Sequence, residues 1–105
     1  MAVQVLIKRK IVNEKIKEVA KLMVKLRSLA RAQQGYMSSE SLKCIDPPGD
    51  EEYLIRSTWR SKEDWRRWLH SAERVAIQNK IDAITREKTE YKIYEARVGG
   101  IFPAI

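Results

Sequence analysis

The chain has 105 residues, of which 44% are hydrophobic and 33% charged, and its formal net charge is +7. This length suits one domain with one modest core, no stretch approaches the roughly 20 apolar residues of a membrane span, and the single cysteine, Cys44, excludes an intrachain disulfide and a cysteine-based metal cluster. The positive charge permits attraction to anionic partners, but the basic residues are spread along the chain, which is typical of a solvated surface.

The first predicted element is a strand over residues 2 to 10, where β-branched and apolar residues precede a basic end. This order is the reverse of a secretory signal, so we expect a cytoplasmic protein. Asn13 is expected to cap one long helix that stops at Gly35, because glycine is common just past a helix end. Apolar residues of this helix recur at intervals of three and four along one face: Ile16, Val19, Ala20, Met23, Leu26 and Ala30.

The middle of the chain predicts a hairpin. Residues 36 to 45 and 52 to 60 both have the character of strands, and a Pro-Pro-Gly-Asp sequence between them interrupts both. We therefore expect the two strands to pair in an antiparallel manner.

Two serines predict the start of two further helical segments. Ser61 precedes Asp64 by three residues, a weak form of the capping box, and predicts a short helix that runs through Leu69. Ser71 predicts the cap of the next segment, and residues 89 to 98 predict the last strand.

The order strand, helix, strand, strand, helix, strand predicts a single domain over residues 1 to 105 with the ferredoxin-like βαββαβ α+β fold and a four-stranded antiparallel sheet. The strands carry apolar residues on both faces, since Leu6 opposes Val5 and Leu54 opposes Ile55. Two helices cover only one face, so the other needs a second sheet. We expect a homodimer packed sheet to sheet, with the apolar tail, residues 98 to 105, on the partner.

The middle of the chain, from residue 35 to residue 71, also carries a specific set of motifs. A Gly-aromatic pair begins the second strand, an acidic Pro/Gly turn follows, a strand ends in Thr-Trp, and a serine cap leads to Trp-Leu-x-Ser. With these motifs the chain resembles the antibiotic biosynthesis monooxygenase (ABM) domain family, and the resemblance implies a dimeric α+β barrel. The matching residues are Gly35-Tyr36, Asp46 to Asp50, Thr58-Trp59, Ser61 and Trp68 to Ser71.

The resemblance implies two kinds of oxygen chemistry. One branch of the family opens haem, and there Trp68 matches a family tryptophan, while the position of the iron-binding His falls on Gln78, or on Asn79 with a shift of one residue. Neither side chain replaces imidazole as an ordinary ligand to haem iron, which disfavours this branch. The other branch oxidises polycyclic phenols to quinones with molecular oxygen and no metal or flavin.

The quinone-forming branch matches this chain at Trp59, whereas its substrate-polarising Asn is replaced by Ile55. Its Tyr aligns with Trp65 and its helical Arg aligns near Asn79. A cofactor-free oxygenase needs a dry apolar cavity with a few donors, so we expect no cofactor and no metal. The predicted contacts to a small aromatic ligand are Trp59, Trp65, Trp68 and Met23 in the wall, and Asn79, Gln78, Arg9 and Tyr36 as polar groups.

Three alternatives stay open. Trp65 and Trp68 are three residues apart with Leu69 on the same side, so packing on the sheet would bury them without any ligand. A second alternative is a non-catalytic dimeric binding module for a small hydrophobic metabolite. The interleaved Arg and Trp of residues 59 to 68 suggest nucleic-acid binding, but stacking platforms place aromatics on an open sheet face, and we expect neither nucleic acid nor membrane as a partner.

Overall fold

The computed structural model of the protein describes residues 1 to 95 and confirms the predicted ferredoxin-like α+β fold. A four-stranded antiparallel sheet has the strand order β2-β3-β1-β4. The strands are β1 (Val3–Lys10), β2 (Tyr36–Lys43), β3 (Glu52–Trp59) and β4 (Glu90–Glu95). The helices are α1 (Ile16–Ala30), α2 (Lys62–Leu69) and α3 (Ala72–Thr85), and a 3-10 turn (Asn13–Lys15) precedes α1.

The inner strand β1 shows which face of the sheet packs on the helices. Val3, Val5 and Ile7 are buried on one face, and they belong to the same core cluster as Val19 of α1 and Ile81 of α3. The alternation of strand side chains therefore turns every second residue of β1 toward the helices. Arg9 follows this alternation and is buried as well, with 3% of its surface exposed.

Both serine caps are confirmed. Ser61 Oγ accepts a hydrogen bond from the backbone N–H of Asp64 at 3.1 Å, and Ser71 Oγ accepts one from the N–H of Arg74 at 3.3 Å. Each serine satisfies a donor that the first turn of a helix leaves without a partner. The two caps thereby fix the starts of α2 and α3, which follow each other directly after β3.

The predicted cap at Asn13 and the predicted helix end at Gly35 were wrong. Asn13 lies inside the 3-10 turn, which is closed by a backbone bond from Lys15 N to Val12 O at 3.0 Å, and α1 begins without a side-chain cap. The helix ends at Ala30, and Gly35 instead leads into β2 with φ of +87°. A glycine is required there because a Cβ at this position would lie 2.3 Å from Asp64 Oδ2.

The second strand contains an irregularity that sets its inner face. Tyr36 pairs with Trp59, but Ser38 pairs with Thr58, so Met37 is an extra residue in β2. Such a bulge shifts the alternation by one residue. As a result Tyr36 and Ser39 both face the helices.

The outer face of the sheet is mixed, as the strand pattern predicted. Leu6 and Leu54 are half-buried in the single chain, while Leu42 and Tyr94 remain exposed. Ion pairs such as Arg56 with Glu40 and Lys8 with Glu90 lie among them. Within residues 1 to 95 no helix is both long and apolar enough to cross a membrane. The predicted strand end at residues 96 to 98 and the tail at 98 to 105 lie outside the described residues.

Replacement of Gly35 by Ala tests the packing of α2 on the start of β2. Gly49 has a similar φ of +81°, but a Cβ added there would have no other atom within 4 Å, so Gly49→Ala is a matched control for backbone strain alone. We expect Gly49→Ala to cost about 1 kcal/mol of unfolding free energy. Gly35→Ala should cost at least about 1 kcal/mol more, because the methyl group displaces Asp64. Equal losses in urea titrations would contradict the close approach.

Candidate functional site

A cavity of about 370 Å³ lies between the inner face of the sheet and α1, with residues of α2 and α3 at its boundary. Its walls are mainly apolar, and the contribution of α1 includes Met23 and the exposed Val24. A volume of this size is within the range of small-molecule sites, which are mostly apolar with a few placed polar groups. Apart from the hydroxyl groups of Tyr36 and Tyr53 and the indole rings, the polar side chains on its walls are Arg9, Arg27, Ser39, Ser41, Ser57 and Arg74.

A continuous series of aromatic rings borders the cavity and ends behind its lining at Tyr91. Tyr36 and Trp59 meet edge to face with centroids 5.5 Å apart, Trp59 and Trp65 follow at 5.8 Å, and Trp65 and Tyr91 at 6.0 Å. These separations are typical of favourable aromatic pairs. Trp68 adds a further buried ring to the lining. The tryptophans therefore pack on each other and also border the cavity, so core packing and ligand contact do not exclude each other.

The two central indoles differ in their hydrogen bonds. Trp59 Nε1 donates to Ser57 Oγ at 3.1 Å, and Ser57 is itself buried two residues earlier on β3. Trp65 Nε1 is buried and has no partner among the described residues. Of these two indoles, it is therefore Trp65 that has a donor to offer a ligand.

Arg9 is the most unusual polar residue of the cavity. Its Nη2 donates to Gln78 Oε1 at 2.8 Å, whereas Nε and Nη1 are buried without a partner among the described residues. Burial, reinforced by the neighbouring Arg74, lowers the pKa of Arg9 to about 10, and Tyr91 and Asp82 act in the opposite direction. The guanidinium therefore stays charged at neutral pH in a site that disfavours charge.

Gln78 lies behind Arg9 and uses both ends of its amide. Its Oε1 accepts from Arg9, from Arg74 Nη2 at 3.4 Å and from Tyr91 Oη at 3.3 Å. Its Nε2 donates to Asp82 Oδ1 at 2.8 Å and to Thr89 Oγ1 at 3.0 Å. With five partners, this amide orients its neighbours and does not line the cavity.

Arg74 is a site residue that sequence reasoning missed. It is buried, donates to Tyr91 Oη at 2.6 Å, and its guanidinium carbon lies 5.6 Å from the centroid of Trp65 and 5.1 Å from that of Tyr91. Cations at such distances from aromatic rings are stabilised by the ring quadrupole. The spacing of Arg74 and Gln78, four residues apart, was the signal that both lie on the inner face of α3.

The structure brings together six of the eight predicted contacts at the cavity: Arg9, Met23, Tyr36, Trp59, Trp65 and Trp68. Gln78 lies in the layer behind it. Asn79 is exposed on the other side of α3, because it follows the buried Gln78 by one residue, about 100° round the helix. His70 is exposed at the end of α2. Residues 1 to 95 contain no cluster of three His, Cys, Asp or Glu side chains that suits a metal ion.

Comparisons with known proteins agree with this architecture. Residues 2–80 match the family model described as antibiotic biosynthesis monooxygenase. A conserved protein from Methanosarcina mazei Go1 superposes with a TM-score of 0.82 at 18% identity, covering 92% of this chain and 94% of its own. SnoaB, a cofactor-independent oxygenase from Streptomyces nogalater, gives 0.79 at 18% identity, with 97% of each chain covered. At these identities the likeness shows a common fold. No curated protein matches the sequence.

Replacement of Arg9 by Met tests whether this buried cation serves the fold. Methionine fills a similar volume without charge, and Gln78 Oε1 keeps Arg74 and Tyr91 as donors. Since no salt bridge with a described residue compensates Arg9, we expect Arg9→Met to raise the free energy of unfolding by about 1 kcal/mol or more. The exposed Arg66→Met is the control and should change it by less than about 0.5 kcal/mol. A loss of stability in Arg9→Met would show that Arg9 is a structural residue.

Proposed function

The chain belongs to the antibiotic biosynthesis monooxygenase family, and we propose that it is a cofactor-independent monooxygenase acting on a small aromatic or quinol-like compound. The observation that carries the proposal is the aromatic-walled cavity of about 370 Å³. It contains both tryptophans that the family resemblance assigns to the pocket, Trp59 and Trp68. A flat substrate would lie against these rings with most of its surface removed from water.

In this reaction the substrate supplies all the electrons. For an anthrone-type compound, loss of a proton from the ring methylene gives an electron-rich anion that reduces molecular oxygen. A carbon–oxygen bond forms, one oxygen atom stays as the quinone carbonyl and the other leaves as water, so that four electrons pass from the methylene carbon to oxygen. The protein contributes by binding and orienting the substrate and by excluding water from the intermediate.

The polar contacts differ from those that the resemblance implies. Ile55 lines the cavity where the quinone-forming branch has its Asn, and the indole N–H of Trp59 is already bonded to Ser57. The buried donors of the described residues that remain for a substrate are Trp65 Nε1 and two nitrogens of Arg9, Nε and Nη1. We propose that these two groups replace the family's Asn as the contacts to the substrate oxygens.

Binding without catalysis is the alternative function. No His, Asp or Glu of residues 1 to 95 lines the cavity, so no ordinary general base faces a ligand there. A substrate that is already ionised, or that loses its proton to water, needs no such base. Turnover therefore separates the two functions.

The homodimer and the cytoplasmic location belong to the same proposal. The outer face of the sheet supports the dimer, because Leu42 of β2 and Leu54 of β3 are cross-strand neighbours there and Leu6 lies on the same face of β1. A surface of this kind on a single-layer sheet is typical of a protein interface. We infer that two copies pack sheet to sheet.

Oxygen uptake tests the enzymatic function. With a panel of quinols and anthrones, we expect the wild-type protein to consume oxygen and Trp59→Phe to lower kcat/KM about tenfold, because the smaller ring lets the substrate shift. Tyr94→Phe, on the outer face and outside the cavity, is the matched aromatic control and should keep the wild-type rate. Absence of uptake across the panel would favour the binding module, and an unchanged rate in Trp59→Phe would exclude Trp59 from the site.

Light scattering tests the dimer. Leu54→Glu places a charge in the middle of the outer sheet face, and we expect the molar mass to fall to that of a monomer, since a buried unpaired charge is costly. Val75→Glu on the exposed surface of α3 is the control and should remain dimeric. A monomeric wild-type protein, or an unaffected Leu54→Glu variant, would contradict this interface.

A further inference from the structure

Two residues of the cavity hold buried donors that have no partner in the described part of the chain. Among residues 1 to 95, the buried side-chain nitrogen and oxygen atoms that lack a hydrogen bond are Arg9 Nε, Arg9 Nη1 and Trp65 Nε1. Both residues line the cavity and are almost fully buried, with 3% and 1% of their surfaces exposed. Buried donors are normally satisfied, because leaving one without a partner is costly. The described residues therefore supply no acceptor for three buried donors of the cavity.

The positive charges of Arg9 and Arg74 beside the cavity are also not balanced by a salt bridge with a described residue. Arg9 and Arg74 are both buried and both donate to one oxygen, Gln78 Oε1, so that two guanidinium groups lie next to each other. The carboxylate of Asp82 is near enough to raise the pKa of Arg9, but its hydrogen bond goes to the amide of Gln78 and not to either guanidinium group. An anion bound directly by the two guanidinium groups would stabilise their neighbouring positive charges.

We propose that Arg9 and Arg74 form a carboxylate-binding subsite, and that the ligand of the cavity is an aromatic acid whose ring lies against the tryptophan wall. The proposal rests on the proposed function, since it names the class of substrate for that cavity. Arg9 donates to the carboxylate through the nitrogens that have no other partner, and Arg74 contributes the second positive charge. Gln78 holds both guanidinium groups from behind.

A carboxylate fits these donors better than a phenol or water does. Its two oxygens offer about four lone-pair sites, whereas a phenolate has one oxygen, and three donors here lack a partner. A carboxylic acid is ionised at neutral pH, while a phenol has a pKa near 10 and must first lose its proton. Water satisfies donors but carries no charge. Arginine is also the side chain whose planar fork suits carboxylates.

Binding of three matched probes to the full-length protein tests the subsite without any turnover. We would titrate 2-naphthoate, its neutral analogue 2-naphthamide, and 2-naphthol at pH 7, using quenching of tryptophan fluorescence and calorimetry. We expect 2-naphthoate to bind about tenfold tighter than 2-naphthamide, the effect of a charge-assisted hydrogen bond. Equal affinities would overturn the proposal. If 2-naphthol bound more tightly than 2-naphthoate and showed the absorbance of the naphtholate, the preferred anion would be a phenolate. That result would overturn the assignment of an aromatic acid as the ligand.

Variants of Arg9 locate the anion. In Arg9→Met the preference for 2-naphthoate over 2-naphthamide should disappear, and in Arg9→Lys, which keeps a positive charge, part of it should return. Arg66→Met on the exposed side of α2 removes the same charge from the chain and should keep the full preference. A preference that persists in Arg9→Met would place the anion elsewhere. If Arg9→Met does not fold, the wild-type probes and Arg9→Lys still decide the outcome.

Failure of this proposal and failure of the monooxygenase are distinguishable. If the wild-type protein prefers 2-naphthoate but consumes no oxygen with any quinol or anthrone, the result supports the subsite and contradicts the enzymatic function. If the protein consumes oxygen with neutral quinols but binds the acid and the amide equally, the result supports the enzymatic function and contradicts the subsite.

Discussion

The hydrogen bond from Arg9 to Gln78 connects the inner strand β1 to the last helix, α3, beside the cavity. The two residues are 69 positions apart, so the bond forms only when β1 and α3 are already packed. It keeps a cation in a position that burial disfavours, and that position is useful only if something negative enters the cavity. The same oxygen of Gln78 also accepts a hydrogen bond from Arg74, so that one amide holds both buried guanidinium groups of the site. Stability given up at a binding site in this way is common in proteins.

The sequence predicted the framework well because the framework depends on local patterns. Alternation along residues 2 to 10 was sufficient to place Val3, Val5 and Ile7 on one face, and the two serine caps were recognisable from their spacing to the next helix. Gly35 shows the limit of such signals. A glycine after a helical stretch indicates either a helix end or a close approach of another chain segment, and only the position of Asp64 in three dimensions distinguishes these.

The site was less predictable than the fold, because its properties depend on partners distant in sequence. Helical periodicity gives the direction of a side chain, and it was sufficient in principle to separate the buried Gln78 from the exposed Asn79. It does not show that the amide of Gln78 is fully used, nor which indole has a free N–H. Trp59 and Trp65 are both buried aromatic residues by any sequence criterion, and Ser57 alone makes their hydrogen-bonding roles different.

The extra residue Met37 makes the polarity of the cavity wall a matter of strand register. Because Met37 stays out of the ladder, hydroxyl groups of Ser39 and Ser41 face the cavity, and the side chains of Glu40 and Leu42 face the opposite side of the sheet. If Met37 instead entered the ladder opposite Thr58, each later residue of β2 would move by one position and the two sets of side chains would exchange faces. The bulge therefore decides whether a ligand meets hydroxyl groups or a carboxylate and a leucine along this wall, although no residue of the strand differs between the two registers.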